Sequence, residues 1–425
     1  MSDFRKIGLA PGIDLYIAST GKFKTNWIHV FIQQALSPEN ATRTAILPAV
    51  LRRGCEGIPT TLDLERALQG LYGAELGADA IKKGERHLIH LGLSLPNDKY
   101  LPQREGLFAK GFELLSRVLL HPLAGPNGFQ ERYVQQEKAN LKRRIESLIN
   151  DKSSYAAARC IQEMCKGEAF GVYKYGRIED IDPIGPRDLM DYYSKLVREN
   201  PMDIFVVGDV HEGEVGEVAN RLIRPERGTP VRLSSPGVHY PVGEVRQVFE
   251  RQDVQQGKLC LGVRTQTARS DPDFHALEVA NGILGGYPHS KLFQNVRERA
   301  SLAYYAYSRL ETLKGLMVIY SGIEVANFSR ALEIIQQQID DLMAGRIGDQ
   351  EFDATKKALE LDLKTEEDRP GLKILHYLEG VIGGVPESLE DHLGKMAAVQ
   401  MEQVVAAARK VQLDTVYFLA NREGN

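Results

Sequence analysis

The sequence is poor in cysteine, carries a single tryptophan and has no apolar run of bilayer length. Four scattered cysteines (Cys55, Cys160, Cys165 and Cys260) cannot staple a chain of 425 residues, so burial rather than a disulfide framework has to hold it together. Cys160 and Cys165 are five apart in a helical stretch and point to different faces, which reads as reduced thiols packed like small hydrophobes. The absence of 18 consecutive apolar residues argues against a membrane span, and the N-terminal stretch lacks the apolar region and cleavage site of a signal peptide. The expectation is a cytoplasmic chain with no membrane partner. Net charge is −4 and no basic stripe is visible, which argues against nucleic acid as a partner. The run LKRRI at 141–145 lies beside Glu137 and Glu146 and reads as a solvated helix face. No phosphate loop, dinucleotide fingerprint or G-x-S-x-G is present.

What is there is repetition. The first half opens with the strand-like runs GIDLYIAST and TNWIHVFIQQAL, continues through the helical stretches NATRTAILPAVLRRG and TTLDLERALQGLYG, returns to a strand at RHLIHLGLSL and closes on DIFVVGD. Thr60 and Asp63 are spaced to cap the start of the second helix. The second half follows the same order: strand GKLCLGVRTQ, helices DPDFHALEVANGILGG and SKLFQNVRER, strands AYYAYSRLE and GLMVIYSGIE, helices over most of 327–411, and a closing strand DTVYFLAN. In GKLCLGVRTQ, Leu259, Leu261 and Val263 alternate toward one face. The Pro-, Gly- and Ser-bearing stretch after Arg224 reads as an extended linker. The expected architecture is therefore α+β: two homologous domains, each a mostly antiparallel sheet covered by helices, at 1–223 and 245–425 with a linker over 224–244.

Metal ligands are the first chemistry to look for among the ten histidines. His87 and His90 form an H-x-x-H, but on a strand they face opposite sides of the sheet and cannot share an ion; His87 reads as a core residue. In HEGEV at 211 the second histidine of a zinc helix is replaced by Val215, so His211, Glu212 and Glu214 read as solvated residues at a helix start. Gly285 and Gly286 read as a helix end and turn rather than an anion cradle.

The most specific string is ILGGYPHSKLFQNVRERASLAYYAYS followed by KGLMVIYSGIE. It resembles the C-terminal half of the pitrilysin/insulinase metallopeptidase family in its short bacterial form, related to mitochondrial processing peptidase, and the resemblance spans essentially the whole chain. Active members of that family carry H-x-x-E-H on a first-half helix, where two histidines and a distal glutamate hold zinc and the motif's glutamate is the general base. The resemblance puts that helix at TAILPAVLRRG. Counting back from the Gly54–Cys55 turn places Ala45 and Ala49 at the histidine positions and Pro48 at the glutamate position. Anchoring on Ile145 and Asp151 places Arg144 at the distal ligand position. Methyl groups and a proline ring donate no lone pair, and a guanidinium repels a cation, so no catalytic residue and no metal ligand is expected.

The family's substrate-holding pair, an Arg and a Tyr seven residues apart, is matched by Arg297 and Tyr304. The plainer reading of the same residues is an Arg297–Glu298 pair and a half-buried strand tyrosine. The resemblance implies a metal-free subunit that pairs with a zinc-bearing homologue to enclose and process a peptide. Zinc is then expected in the partner and no cofactor in this chain; a second copy of the chain is the alternative partner. The long glycine-rich loop of the processing peptidase's own metal-free subunit corresponds here only to GGYPHS. Two other functions stay open: an assembly scaffold derived from the family, and an enzyme using an unrecognised site.

Overall fold

A computed structural model of the chain describes residues 4–234 and 238–421. In chain order it runs β1 (Arg5–Ala10), β2 (Ile13–Ser19), β3 (Thr25–Ala35), α1 (Pro38–Leu51), α2 (Thr61–Gly70), β4 (Glu75–Lys83), β5 (Arg86–Pro96) and α3 (Leu107–Leu120). The short pair β6 (Ala124–Gly125) and β7 (Gly128–Phe129) precedes α4 (Glu131–Ser147), α5 (Lys152–Met164), α6 (Pro186–Glu199), β8 (Met202–Gly208) and α7 (Glu212–Leu222). Next come β9 (Arg246–Gln252), β10 (Gly257–Arg264), α8 (Phe274–Asn281), two π-helical turns at 282–286 and 293–299, β11 (Ala303–Glu311) and β12 (Leu316–Ile323). The last elements are α9 (Phe328–Met343), α10 (Asp349–Glu367), α11 (Pro370–Gly383), α12 (Leu389–Ala398), α13 (Met401–Ala408) and β13 (Gln412–Asn421). Among the described residues no helix is long and apolar enough to cross a membrane, and the four cysteines are free and buried.

The chain divides into two compact units, residues 1–146 with 172–234, and residues 147–171 with 235–425. The first holds a six-stranded sheet in the order β1-β2-β8-β3-β5-β4, and the second a five-stranded sheet in the order β11-β12-β10-β13-β9. Read from β9, the second sheet repeats the first from β2: β9 pairs parallel with β13 as β2 does with β8, and every other neighbouring pair is antiparallel. The repeat legible in the sequence is thus a repeat of topology, and the class is α+β.

Segment 147–171 lies in the first half of the sequence, inside the expected domain 1–223, but packs with the second unit. Its helix α5 buries Ala156 and Cys160 in one cluster with Cys260, Val318, Tyr417 and Leu419. Glu168 adds ion pairs to Arg264 and Lys314, both nearly inaccessible. This explains why β10 is buried on both faces instead of alternating: Leu259, Leu261 and Val263 face the main core, and α5 covers the side of Cys260 and Gly262. Of the expected linker, residues 235–237 lie outside those described; Arg227 donates to the carbonyls of Pro11 and Asn200 at 3.0 and 2.9 Å, so part of the stretch is tied down.

Candidate functional site

In the first unit, α1 lies over β4 and β5 and buries Ile46, Leu47, Val50 and Leu51 in the sheet's core. Ala45 and Ala49 are half-buried and Pro48 is buried. Because α1 begins at Pro38, Pro48 stands in its last turn, where it removes one helix hydrogen bond three residues before the end. The turn beyond needs glycine at Gly54, whose φ of +146° disfavours a side chain and whose Cβ would collide with the Ile58 carbonyl.

Arg144 is exposed on α4. It lies 3.5 Å from Asp79 on the edge strand β4, and its guanidinium stacks over the Tyr175 ring at 4.2 Å. Lys142, Arg143 and Arg144 are exposed, as expected of the 141–145 run, whereas Leu141 and the neighbouring Glu137 are buried. Glu137 is 6% exposed and ion-paired with Arg53, just beyond α1, with Arg53 Nε donating at 2.6 Å. Arg53 is 84 residues from Glu137 in sequence, so no local pattern could announce the pair. The positions in question carry carbon side chains on α1 and an arginine on α4. Among the described residues, the groups of His, Cys, Asp and Glu close enough to share one ion include none from α1 or α4. Ala45, Pro48, Ala49 and Arg144 do not make the donor set that zinc needs.

The histidines of the same sheet are structural. His87 is fully buried, and burial, with Lys174 and Lys82 nearby, lowers its pKa to about 3. On the opposite face His90 lies 3.0 Å from His29, and burial lowers these two to about 4 and about 3. The sequence separated His87 from His90 correctly; His29 was not singled out because its approach to His90 depends on the β3–β5 register.

In the second unit, Arg297 sits in the π-helical turn at 293–299 and Tyr304 at the start of β11, two elements that pack together. Arg297 stacks over Phe293 at 4.6 Å and lies 3.5 Å from Glu298, leaving its side chain 43% exposed. Tyr304 is 59% exposed. The ladder with β12 skips a step between Ala303 and Tyr305, so Tyr304 occupies a bulge, a device that re-aims a side chain. The turn before it holds Ser301 at φ +52°, a strained conformation for a residue with a side chain. Gly285 is fixed for a different reason: a Cβ there would lie 2.5 Å from Ser308 N on β11, so the preceding helix end can approach this strand only without a side chain. Tyr305 reaches Ser153 at 3.2 Å, and Tyr307 stacks on Tyr320. These two tyrosines were not singled out in the sequence, although alternation along β11 would have placed them on the face opposite Ala306 and Ser308.

Comparison with known proteins places this geometry in context. Residues 183–359 match the family model described as the peptidase M16 inactive domain. The chain is 39% identical over 414 residues to the "Probable inactive metalloprotease YmfF" of Bacillus subtilis (strain 168), covering 97% of each chain. A conserved protein from Enterococcus faecalis V583 has a similar structure, with a TM-score of 0.90 at 29% identity over the full length of both chains. A peptidase M16 inactive domain from Pseudomonas fluorescens, at 18% identity, shares the fold with a TM-score of 0.82 over 100% of this chain and 99% of that one.

Proposed function

This chain belongs to the peptidase M16 family, and from that premise we propose that it is a non-catalytic subunit pairing with a zinc-bearing homologue to bind and process peptides. The observation that carries the reading is the contrast between the two candidate sites. Ala45, Pro48, Ala49 and Arg144, at the positions the resemblance assigns to the zinc ligands and the general base, offer neither a lone pair for zinc nor a base for water. Arg297 and Tyr304 keep accessible polar ends, each set by an irregular piece of backbone. An accessible guanidinium supplies a planar fork of donors to a peptide carbonyl or carboxylate, and tyrosine adds a hydroxyl on an aromatic body. In this reading the cleavage chemistry belongs to the partner, and this chain supplies peptide contacts.

The test is to produce the chain alone and together with a homologue carrying H-x-x-E-H. The pair should co-purify and show chelator-sensitive peptide cleavage, while the chain alone, with zinc added, should show none. Chelator-sensitive cleavage by the chain alone overturns the reading, and failure to recover any such partner removes the pairing. The scaffold alternative predicts a stable assembly whose peptide cleavage, if any, is indifferent to Arg297.

A further inference from the structure

A second set of polar groups lies inside the second unit, among α8, α11 and α12. His275 and Glu278 are one helical turn apart on α8, so both side chains leave the same face. The Glu278 carboxylate oxygen Oε2 lies 3.1 Å from His275 Nδ1 and 2.8 Å from His392 Nε2 on α12. The opposite nitrogens of the two rings look toward another carboxylate, Glu387: His392 Nδ1 is 3.1 Å and His275 Nε2 3.7 Å from it. His392 Nδ1 is buried and, despite that distance, lacks the alignment of a hydrogen bond. Lys395 at 2.7 Å and Arg269 at 3.5 Å offset the charge of Glu387.

We propose that His275, Glu278 and His392 form a binding site for one divalent transition-metal cation of the zinc class, with Glu387 orienting the two imidazoles. Two imidazole nitrogens and one carboxylate are a donor set suited to zinc rather than to calcium or magnesium, which take oxygen ligands. Donors of one tetrahedral zinc stand about 3.3 Å apart for bonds of about 2.0–2.1 Å. The 2.8 and 3.1 Å separations need to open by only a few tenths of an ångström. A carboxylate behind a ligating histidine can fix the ring and its tautomer. Glu387 stands behind both rings, 3.1 Å from His392 Nδ1 and 3.7 Å from His275 Nε2, and would need only a small turn to accept from them. Access runs past His275 and Glu278, whose side chains are 14% and 17% exposed, whereas His392 is 3% exposed and anchors the site from within. The competing arrangement uses the same residues as a metal-free network in which a protonated His392 bridges the two carboxylates. The site goes beyond the reading of Arg297 and Tyr304 and does not depend on it.

The test is calorimetric titration of the chelator-treated chain with zinc chloride, repeated with cobalt(II), whose visible absorption reports its coordination. One Zn2+ should bind per chain, raise the melting temperature and give a cobalt spectrum of low coordination number. H275A and E278Q should each weaken binding at least ten-fold, and E387Q by roughly ten-fold. Both primary variants lie at the partly exposed side, and near-ultraviolet circular dichroism checks that they fold. Absence of stoichiometric zinc binding by the folded chain overturns the proposal, as does binding of unchanged affinity in folded H275A and E278Q.

Discussion

Pro48 and Arg144 mark the places where the first unit departs from the family's zinc chemistry as the resemblance locates it. The substitution A45H/P48E/A49H/R144E should rebuild a donor set on α1 and α4. In an H275A background it should add one zinc per chain by metal analysis; a folded variant that takes up no extra zinc means that these positions are not the metal positions. Buried histidines make a second prediction. His29, His87 and His90 have folded pKa values of about 3, 3 and 4, below their ordinary value of 6.5. As pH falls below 6.5 the unfolded chain binds protons that the folded chain refuses, so each histidine costs roughly 2 kcal/mol of stability by pH 5. Asp203 runs the other way. Burial raises it to about 6, so it returns roughly 1 kcal/mol as pH falls from 7 to 5. The three histidines outweigh it, so urea midpoints should fall between pH 7 and pH 5; a flat or rising midpoint contradicts these assignments. At this scale the sequence exposed residue types but not their partners. That Ala45, Pro48 and Ala49 stand at the zinc-motif positions rests on the resemblance, while their partial or full burial on α1 is a fact of the fold. The Arg53–Glu137 pair and the His29–His90 contact join residues 84 and 61 apart and were not legible.

The elements were legible where period and capping agree. Thr60 caps α2 by accepting from the Asp63 amide at 3.1 Å, as its spacing predicts. The alternation in β10 was half the truth, because what covers a strand's second face is a tertiary fact, here α5. The π-helical turn at 293–299 and the bulge at Tyr304 leave no periodic trace, yet they set Arg297 and Tyr304. The attachment of 147–171 to the second unit carries its own prediction. Glu168 joins Arg264 and Lys314, whose side chains are 3% and 0% exposed. E168Q should therefore cost roughly 3 kcal/mol in urea unfolding, because removing one member of a buried ion network leaves its charges poorly compensated. A loss below about 1 kcal/mol, the level of a surface pair, would mean that the Glu168 ion pairs do not hold the segment in place.

Across the whole molecule, the sequence's repetition became two sheets that share a five-strand order, β1 being an extra edge strand of the first, because strands of similar pattern, met in the same sequence, pair in the same way. The family was legible in strings within 283–324, while the assignment of Ala45, Pro48, Ala49 and Arg144 to its zinc positions rests on the resemblance alone. The His275–Glu278–His392 cluster escaped because its third member lies on α12, 114 residues beyond Glu278; only the H-x-x-E spacing at 275–278 was there to be read. The proposed role of this chain is to lend peptide contacts to a catalyst it does not carry. The most direct measurement is peptide cleavage by the chain reconstituted with an H-x-x-E-H-bearing homologue, with and without R297A in this chain. R297A should fold, still pair, and lower kcat/KM at least ten-fold, on the order of 1.4 kcal/mol. Cleavage by the R297A pair at the unmodified rate would rule out this role.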